Sequence, residues 1–259
     1  MQNKASERTD PNLTQALSEA ARLLATAEKI AVLTGAGVSA ESGVPTFRGS
    51  GGLWEGYRAE ELATPSAFRR DPDLVWSFYR WRLRLLSGVV PNAAHRALVT
   101  LEASVPRFWL LTQNVDGLHA AAGSRAVVEL HGSLQRTRCS LCSLRSPMLE
   151  IPQEGLPTCW SCGGLLRPDV VWFGEMLPGR AMAAAAEAVG ECDLMLVVGT
   201  SGVVEPAASF AHQARLRGAS VLEVNLEPTP ISTVARVSLH GRAAELVPHL
   251  VELSARQGG

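Results

Sequence analysis

A short apolar run that ends in a pair of glycines limits the possible folds more than any other part of the sequence. Residues 30–33 are all apolar, and Gly35 and Gly37 follow almost at once. A buried parallel strand typically ends in this way when it enters a turn tight enough to admit a phosphate. Glycine has no Cβ and can take positive φ, which lets main-chain N–H groups approach a pyrophosphate. The run 35–40 fits the dinucleotide-binding fingerprint with alanine at its third small position, although an ordinary glycine turn has the same pattern.

The residues after this turn depart from a plain dinucleotide site. The sequence Ser-Gly-Val-Pro at 42–45 ends any helix early, because proline cannot continue it. Residues 46–49 then place an aromatic side chain and a cation on a loop. This arrangement predicts a loop that closes over a bound cofactor.

Several further apolar runs end in small or polar residues, as the strands of an open parallel sheet do. Strands are expected at 108–111, 127–130, 194–198 and 221–225. Helices are expected at 13–27, 91–105, 181–189 and 246–253. Because the carboxyl ends of parallel strands line a nucleotide crevice, the pattern predicts an α/β fold with a mostly parallel sheet.

Two of these runs lead into residues that are suited to chemistry. Gln113, Asn114 and Asp116 follow the first run, and His131 follows the second. Polar groups at the carboxyl end of a parallel strand bind the ligand in an open sheet, but Asn and Asp also stabilise ordinary turns. A histidine just past a strand end is placed for acid–base work, while a solvated loop histidine has the same pattern. His95, near a predicted helix start, is expected to pack or to cap.

Four of the five cysteines form two C-x-x-C pairs, Cys139 with Cys142 and Cys159 with Cys162, and 16 residues separate the pairs. That spacing is typical of a zinc site, because two thiolates separated by two residues bind one metal from a tight turn. Four thiolates complete a tetrahedron and leave no position for water, so the predicted Zn²⁺ is structural. Such pairs also favour a reducing compartment over a disulfide framework. Cys192 is expected to be a buried thiol.

Residues 51–90 differ from the rest of the chain because they are rich in aromatic residues and arginines. They are expected to form a helical insertion with helix starts at 64–65 and 71–72, where proline occupies the first turn. Most of the aromatic side chains are expected to pack inward. Tyr79 and Arg82, three residues apart, would share a helix face, and a phenol beside a guanidinium is a receptor for a carboxylate. Spacing alone favours packing for this pair as well.

Residues 167–175 combine a β-rich run, an aromatic pair and a glycine. We expect this segment to return to the main sheet. There it would form an exposed edge with which an extended peptide can pair.

The composition indicates which binding partners and which cellular compartment to expect. With 46% hydrophobic and 19% charged residues, the 259-residue chain is expected to form one large core or a large and a small domain. A net charge of −1 gives no reason to expect nucleic acid as a partner. Residues 1–12 lack the apolar core of a signal peptide, and no apolar run approaches the roughly 20 residues that span a bilayer. We therefore expect a cytoplasmic protein without a membrane partner. A monomer is the expected state, although the sequence itself does not reveal the oligomeric state.

Seven motifs occur in the order and rough spacing of one family: residues 35–48, 113–119, 131–132, the four paired cysteines, 170–175, 199–201 and 225–227. Over about residues 14–250, the chain resembles the sirtuins, the NAD-dependent protein deacylases. The resemblance implies a doubly wound, Rossmann-like sheet that binds NAD, made of residues 13–50, 91–134 and 169–254. It also implies a small domain built from the helical insertion 51–90 and a four-cysteine zinc ribbon at 135–168. Acyl-lysine would enter between the two domains.

The resemblance also assigns roles in the chemistry of NAD. The amide oxygen of acyl-lysine attacks C1′ of the ribose as nicotinamide leaves, and His131 is the general base for a ribose hydroxyl. The products are nicotinamide, O-acyl-ADP-ribose and free lysine. Asn114 is the second implied catalytic residue, and with Gln113 and Asp116 it holds the nicotinamide ribose and carboxamide. The residues implied to bind NAD are Gly35, Ala36, Gly37, Ser39, Ala40, Gly43, Thr46, Phe47, Arg48, Trp54, Gln113, Asn114, Val115, Asp116, Gly199, Thr200, Ser201, Asn225, Leu226, Glu227 and Ala243. The residues implied to bind an acylated protein or peptide are Ala59, Tyr79, Arg82, Val171, Trp172, Phe173, Gly174 and Glu175.

One sirtuin subclass is especially similar. Thr46 stands where many sirtuins carry aspartate, and Ala59, Tyr79 and Arg82 resemble the pocket that accepts succinyl, malonyl and glutaryl groups. In that subclass a small residue leaves room and the Tyr/Arg pair binds the distal carboxylate. We therefore expect desuccinylation with some deacetylation, since a roomy pocket still admits acetyl.

Rival functions are weaker or remain open. A dehydrogenase needs an acidic residue about 20 positions beyond the glycines, where residues 49–54 are a glycine-rich loop. A serine hydrolase needs G-x-S-x-G, and residues 199–203 lack the last glycine. A non-enzymatic module that binds zinc and NAD is the main alternative class, although His131, Asn114 and Asp116 argue against it. An ADP-ribosyltransferase on the same scaffold stays open.

Overall fold

The computed structural model describes residues 11–46, 53–148 and 153–258. Its strands are, in chain order, β1 (Lys29–Thr34), β2 (Leu53–Trp54), β3 (Tyr57–Arg58), β4 (Arg107–Thr112), β5 (Val127–Glu129), β6 (Gly132–Cys139), β7 (Arg145–Pro147), β8 (Leu166–Val170), β9 (Leu194–Val198), β10 (Ser220–Asn225) and β11 (Val237–His240). Its helices are α1 (Pro11–Thr26), α2 (Ala59–Leu62), α3 (Pro65–Arg70), α4 (Pro72–Leu86), α5 (Ala93–Ser104), α6 (Leu118–Ala122), α7 (Gly179–Glu191), α8 (Ala208–Leu216) and α9 (Ala243–Gln257). Two 3-10 helices lie at Ala36–Ser42 and Pro230–Thr233.

The centre of the fold is a six-stranded parallel sheet with the order β11-β10-β9-β1-β4-β5. Its inner strands are apolar runs buried on both faces, such as β9, in which all five residues are buried. Val32 and Leu196 share a core with residues of α1, α5 and α9, whereas Leu33 and Val197 share a second core with residues of α7 and α8. The predicted α/β fold with a doubly wound, mostly parallel sheet is therefore confirmed.

The strand order places a switch point between β1 and β9. The chain passes from β1 to β4 and β5 on one side, and later to β9, β10 and β11 on the other. The connections that leave β1 and β9 therefore diverge and open a crevice, which is where open α/β sheets bind their ligands. The strands expected at 108–111, 194–198 and 221–225 lie within β4, β9 and β10, and β5 ends one residue earlier than expected.

A second, antiparallel sheet has the order β7-β6-β8. The expectation that residues 167–175 return to the main sheet is wrong, because β8 pairs with β6. Where the two strands meet, a Cβ on Gly132 would lie 2.1 Å from the Asp169 main-chain oxygen, and Gly132 has a φ of 77°. Only glycine fits this crossing. Residues 171–175 form a turn and not an edge strand.

The insertion between β1 and β4 is helical, as predicted. Thr64 and Asp71 cap α3 and α4 through side-chain oxygens that accept main-chain N–H groups at 3.1 and 2.9 Å. The aromatic side chains of α4 are buried in a third apolar core, and the Trp76 indole donates to the main-chain oxygen of Leu166 at 2.9 Å. This bond joins the insertion to β8. Among the helices of the described residues, none combines the length and the apolar character that a membrane crossing requires.

Candidate active site

The turn after β1 meets the loop after β9 at the switch point. The Gly35 N–H donates to the Val198 oxygen at 3.1 Å, and the Gly37 N–H donates to the Gly199 oxygen at 2.8 Å. A Cβ on Gly37 would lie 2.7 Å from the Gly199 Cα, so the two backbones are in contact. The expected use of positive φ at Gly35 and Gly37 is wrong, because Gly199 is the residue with a φ of 61°. The glycine pair lets two loops touch, and both of its main-chain N–H groups are bonded within the chain.

Ser39, in the 3-10 helix after β1, connects three polar side chains. Its hydroxyl donates to Asp116 Oδ2 at 2.8 Å and accepts from Asn114 Nδ2 at 3.1 Å. His95 Nδ1 accepts the Asn92 N–H at 3.3 Å, so Nε2 carries the proton and donates to Ser39 at 3.4 Å. These bonds fix the orientation of the Asn114 amide. The structure brings Ser39, Asn114 and Asp116 together and adds His95, whose predicted capping role is confirmed.

His131 lies between β5 and β6 with a defined tautomer. Its Nδ1 atom is 3.0 Å from the main-chain oxygen of Gln113. Because a carbonyl oxygen can only accept, Nδ1 carries the proton and Nε2 keeps its lone pair. Burial lowers the pKa of His131, although the bond to Gln113 acts in the opposite direction. The imidazole is therefore neutral at neutral pH and has a basic nitrogen, as a general base requires.

Gln113 links the ends of β1 and β9 across the crevice. Its N–H donates to the Thr34 main-chain oxygen at 3.0 Å, and its Nε2 donates to Thr200 Oγ1 at 2.9 Å. Thr200 is buried, so Gln113 is anchored to β1 through its main chain and to the loop after β9 through its side chain. The structure thus brings Gln113, Thr200 and His131 into one continuous set of hydrogen bonds.

Two buried threonines that sequence analysis missed lie beneath this set. Thr34 Oγ1 donates to Thr112 Oγ1 at 2.9 Å, and Thr112 Oγ1 also accepts the Asn114 N–H at 3.1 Å. His119 Nε2 lies 3.0 Å from Thr34 Oγ1 and donates to it, since the Thr34 proton goes to Thr112. Burial lowers the pKa of His119 to about 3 and that of His95 to about 4, so both remain neutral. The available signal was a threonine at the end of each of two apolar strands.

The four paired cysteines converge on one point. The Sγ atoms of Cys139 and Cys162 are 3.4 Å apart, those of Cys142 and Cys159 are 3.7 Å apart, and all four lie within 4.8 Å of one another. A tetrahedron with Zn–S bonds of about 2.3 Å requires S–S distances of about 3.8 Å. The thiolate set therefore fits a structural Zn²⁺, and Gly163, directly after the second pair, has a positive φ of 72°.

The chain is similar to proteins of one family along most of its length. The model of the Sir2 family matches residues 35–206. The chain belongs to the Sir2 family. This sirtuin is 55% identical over 236 residues to the NAD-dependent protein deacylase 2 of Pyrobaculum aerophilum, covering 90% of this chain and 93% of that protein. It is also similar to the crystal structure of a Sir2 homologue–NAD complex, with a TM-score of 0.90, 45% identity and coverage of 93% and 94%. A structure of Sir2Af2 bound to a myristoylated histone peptide has a TM-score of 0.78, 35% identity and coverage of 94% and 98%.

In this sirtuin, Tyr79 and Arg82 lie side by side on α4. The Arg82 Cζ atom is 5.8 Å from the centroid of the Tyr79 ring. Burial raises the pKa of Tyr79, whose hydroxyl accepts the indole N–H of Trp172 at 2.7 Å. Burial also lowers the pKa of Arg82, and the charges of Tyr79 and Asp116 act against that shift. The guanidinium is therefore within electrostatic reach of the polar network around Ser39. Its role in substrate binding stays a prediction.

The segment 171–175 forms a turn in which the main-chain donors of the first three residues are already bonded. The Val171 N–H donates to the His131 oxygen at 2.8 Å, and the Phe173 N–H donates to an oxygen of the insertion at 2.9 Å. The Trp172 N–H donates to Glu175 Oε2 at 2.9 Å. An extended peptide that pairs with these three residues has to use their carbonyl oxygens. The side chain of Phe173 is exposed and available to a substrate.

Two arginines of the small sheet bind the carboxylate of Glu175. Its carboxylate accepts two hydrogen bonds from Arg167, at 2.6 and 2.9 Å, and one from Arg138 at 3.3 Å. Burial alone would raise the pKa of Glu175, but the bonds from Arg167 outweigh that effect and lower it. These bonds hold the turn 171–175, and the role of Glu175 in substrate binding stays a prediction.

The other predicted residues lie mostly at the carboxyl edge of the main sheet. Trp54 instead packs in the aromatic core of the insertion, with its ring centroid 5.7 Å from that of Phe78. Asn225 Nδ2 donates to the Glu227 oxygen at 3.1 Å and shapes the loop after β10. Ala59 begins α2 in the insertion. The segments that follow β1, β4, β9, β10 and β11 carry Ala36, Ala40, Gly43, Thr46, Val115, Ser201, Leu226 and Ala243. Phe47 and Arg48 lie outside the described residues.

A buried carboxylate beneath the loop after β10 was also missed. Glu223 is 1% exposed and accepts hydrogen bonds from the hydroxyls of Thr229, Ser232 and Ser238. Because a buried charge needs hydrogen-bonding partners, these bonds fix the loop that carries Asn225 and Glu227. The signal was an acidic residue within the apolar run 221–225.

Proposed function

We propose that this sirtuin is an NAD-dependent protein-lysine deacylase that prefers acyl groups ending in a carboxylate and also removes acetyl. NAD-dependent deacylation agrees with membership of the Sir2 family and with the names of the relatives. The observation that carries the finer preference is the pair of Tyr79 and Arg82 on α4, which lies within reach of the charge of Asp116.

The residues at the switch point fit NAD. When bound, NAD supplies a ribose whose C1′ becomes reactive toward the acyl oxygen of the substrate as nicotinamide leaves. The Asn114 amide donates to Ser39 through Nδ2, so its Oδ1 is oriented to accept a hydrogen bond. Gln113 is held by Thr200 on the opposite side of the crevice. Preorganised groups of this kind favour one orientation of the bound molecule.

His131 is the base of the proposed reaction. Its Nε2 atom accepts a proton from a ribose hydroxyl, while Nδ1 keeps its bond to Gln113. The proton on Nδ1 never has to leave, because the two nitrogens have separate tasks. The Gln113 carbonyl also stabilises the imidazolium that forms.

The acyl group is proposed to end at Tyr79 and Arg82. A phenol donates one hydrogen bond and a guanidinium donates several, so together they suit a carboxylate. A charge-assisted hydrogen bond contributes about 1.5–3 kcal/mol, which corresponds to a preference of roughly 10–100-fold over a neutral acyl group. In this proposal, the small side chain of Ala59 leaves room for the apolar part of the acyl chain.

The test compares kcat/KM for succinyl-lysine and acetyl-lysine versions of one peptide, with mass spectrometry of the products formed from NAD. Arg82→Met should lower the succinyl value by roughly 10–100-fold and leave the acetyl value nearly unchanged. The matched control is Arg84→Met, because Arg84 is exposed on the same helix. Equal losses on both peptides would contradict the acidic preference. Transfer of ADP-ribose to protein would favour the ADP-ribosyltransferase alternative.

The proposed partners are proteins and peptides with acylated lysines. A relative bound to a myristoylated histone peptide supports this class of partner. The monomeric state, the lack of nucleic-acid binding and the compartment stay predictions.

A further inference from the structure

Trp172 lies at the centre of a buried cluster that the chemistry of NAD does not use. It is 2% exposed, and it contacts Tyr79 on α4 and Arg167 on β8. We propose that Trp172 is a positioning residue for acyl-group selectivity: Arg167 contacts its ring and Glu175 binds its main-chain N–H, and its indole N–H fixes the Tyr79 hydroxyl as a donor to the acyl carboxylate. This inference rests on the proposed preference for acidic acyl groups and deepens it.

The direction of the hydrogen bond between Trp172 and Tyr79 follows from their chemistry. Trp172 Nε1 and Tyr79 Oη are 2.7 Å apart, and an indole N–H can only donate. The Tyr79 oxygen is therefore the acceptor, and its own proton has to point elsewhere. The second polar neighbour is Arg82, whose guanidinium also only donates and interacts favourably with this oxygen.

The Tyr79 proton therefore finds no acceptor in either of these two neighbours. Tyr79 is 1% exposed, and a buried hydroxyl without an acceptor costs free energy. A carboxylate placed beside Arg82 supplies that acceptor and receives a bond from each side chain. An acetyl group is shorter and has no charged oxygen, so it gains no binding energy from Tyr79 and Arg82. The orientation of the hydroxyl thus bears on acidic acyl groups alone.

The indole can fix this orientation because it is itself held on several sides. The Arg167 Cζ atom is 3.1 Å from the centroid of the Trp172 ring, and Arg167 binds both carboxylate oxygens of Glu175. Glu175 in turn accepts the main-chain N–H of Trp172. The Tyr79 ring stacks on Trp172 with an interplanar angle of 26°, and the Phe68 ring lies 5.2 Å away. Trp172 therefore has no freedom to turn its N–H away from Tyr79.

Phenylalanine at position 172 separates the two possible roles of the indole. Trp172→Phe keeps an aromatic ring for Arg167 and Phe68 to contact, but it removes the N–H. If Trp172 only fills space, the loss affects every acyl group alike. If it orients Tyr79, the loss is larger for acidic acyl groups than for acetyl, and this difference requires the Tyr79 hydroxyl.

The experiment is a double-mutant cycle with Trp172→Phe, Tyr79→Phe and the double variant. It measures kcat/KM with succinyl-lysine and acetyl-lysine versions of one peptide, and KM for NAD as a readout of the distant site. We expect Trp172→Phe to lower the succinyl value by roughly 3–10-fold more than the acetyl value, the range of one neutral hydrogen bond, with the KM for NAD unchanged. The double variant should lose no more than Tyr79→Phe alone, because without the hydroxyl there is nothing to orient.

Three results would overturn the inference. Equal losses on the two peptides would make Trp172 a packing residue. Additive losses in the double variant would mean that it acts independently of Tyr79. If the wild-type enzyme shows no preference for succinyl-lysine and Arg82→Met changes kcat/KM equally for both peptides, the proposed acidic preference fails and this inference fails with it. In the first two results the acidic preference holds and only the role of Trp172 fails, so the two failures are distinguishable.

A second variant keeps the test decisive if Trp172→Phe does not fold, which thermal unfolding will show. Arg167→Lys retains the positive charge next to Glu175 but loses the planar fork that holds the indole and the carboxylate together. It should lower the succinyl-to-acetyl ratio of kcat/KM in the same direction as Trp172→Phe, and by less. An unchanged ratio in this variant would overturn the role of Arg167 in holding the indole.

Discussion

His131 donates its Nδ1 proton to the main-chain oxygen of Gln113, 3.0 Å away. This bond connects the residue that comes after β5 with the loop that comes after β4, two neighbouring strands of the main sheet. It fixes one tautomer of the imidazole and leaves Nε2 as the basic atom. The proposed proton transfer from the ribose hydroxyl depends on that single assignment.

Removal of the imidazole should abolish turnover without abolishing cofactor binding. His131→Ala deletes the basic Nε2, and general-base catalysis typically contributes 10²–10⁴-fold, so kcat should fall by roughly that factor. Affinity for NAD, measured by calorimetry, should stay within a few-fold of wild type. His249→Ala is the matched control, because His249 lies on α9, away from the crevice. Full activity of His131→Ala would remove the base assignment.

The pH dependence of kcat/KM should have an acidic limb below pH 6.5. Burial lowers the pKa of His131 from its ordinary value, so the neutral base persists to lower pH than an exposed histidine. Activity is therefore expected to be retained as the pH falls to 6.5 and to be lost only as it falls further. The measurement is kcat/KM between pH 5 and 9. An acidic limb centred above 6.5 would contradict the burial argument.

Stability should fall as the pH decreases from about 6.5. His95 and His119 have folded-state pKa values of about 4 and 3, because burial disfavours their charged forms. Between those values and about 6.5 the unfolded chain binds more protons than the folded chain, so unfolding becomes easier as the pH drops. Each histidine contributes a slope of about 1.4 kcal/mol per pH unit within that window. Urea unfolding at a series of pH values tests this, and a flat free energy of unfolding from pH 6.5 to 5 would disagree.

Loss of one thiolate should remove zinc and weaken the small sheet. Cys142→Ser leaves three thiolates in a cluster that fits four, so bound zinc should fall well below one per chain. Activity should fall with it, because β6 starts next to His131 and ends in Cys139. The matched control is Cys192→Ser, which replaces a buried thiol outside the cluster. This variant should keep its bound zinc. The measurements are metal analysis and turnover, and full zinc retention by Cys142→Ser would be the contrary outcome.

A methyl group at Gly37 should damage the crevice. The Cβ of Gly37→Ala would lie 2.7 Å from the Gly199 Cα, and backbone atoms cannot move aside cheaply. We expect a loss of about 1–3 kcal/mol in stability and weaker NAD binding. Gly179→Ala is the control, since nothing lies within 4 Å of its added Cβ. Chemical unfolding and calorimetry report the two quantities, and wild-type values for Gly37→Ala would show that the two loops are not packed as described.

The sequence predicted those secondary-structure elements and sites that are determined by residues close together in the chain. The apolar runs that became β1, β4, β9 and β10 were visible because strands buried on both faces need continuous apolar sequence. The caps at Thr64 and Asp71 were visible because capping depends on two or three adjacent residues. The cysteine spacing was equally informative, because metal ligands in a knuckle are close in sequence.

Features that depend on distant partners were not predictable in this way. β6 reads Gly-Ser-Leu-Gln-Arg-Thr-Arg-Cys and becomes a strand through pairing with β8, about 30 residues further along the chain. The glycine pair looked like a phosphate turn, but its need for glycine comes from contact with Gly199. The place of Glu175 depends on Arg167 and Arg138, which lie on two different strands. No spacing rule reports such long-range pairings.

The proposed base and the first zinc ligand stand at the two ends of one strand, since β6 starts directly after His131 and finishes at Cys139. From Thr137 to Cys139 the strand pairs regularly with β8, and successive residues of a regular strand point to opposite faces, so adding or deleting one residue in this part would turn Cys139 away from its fellow ligands. If the two C-x-x-C turns are replaced by another metal-binding module, the number of residues in the connecting segment must therefore change only by an even number. The same parity constraint limits which insertions natural variation can tolerate between the two sites.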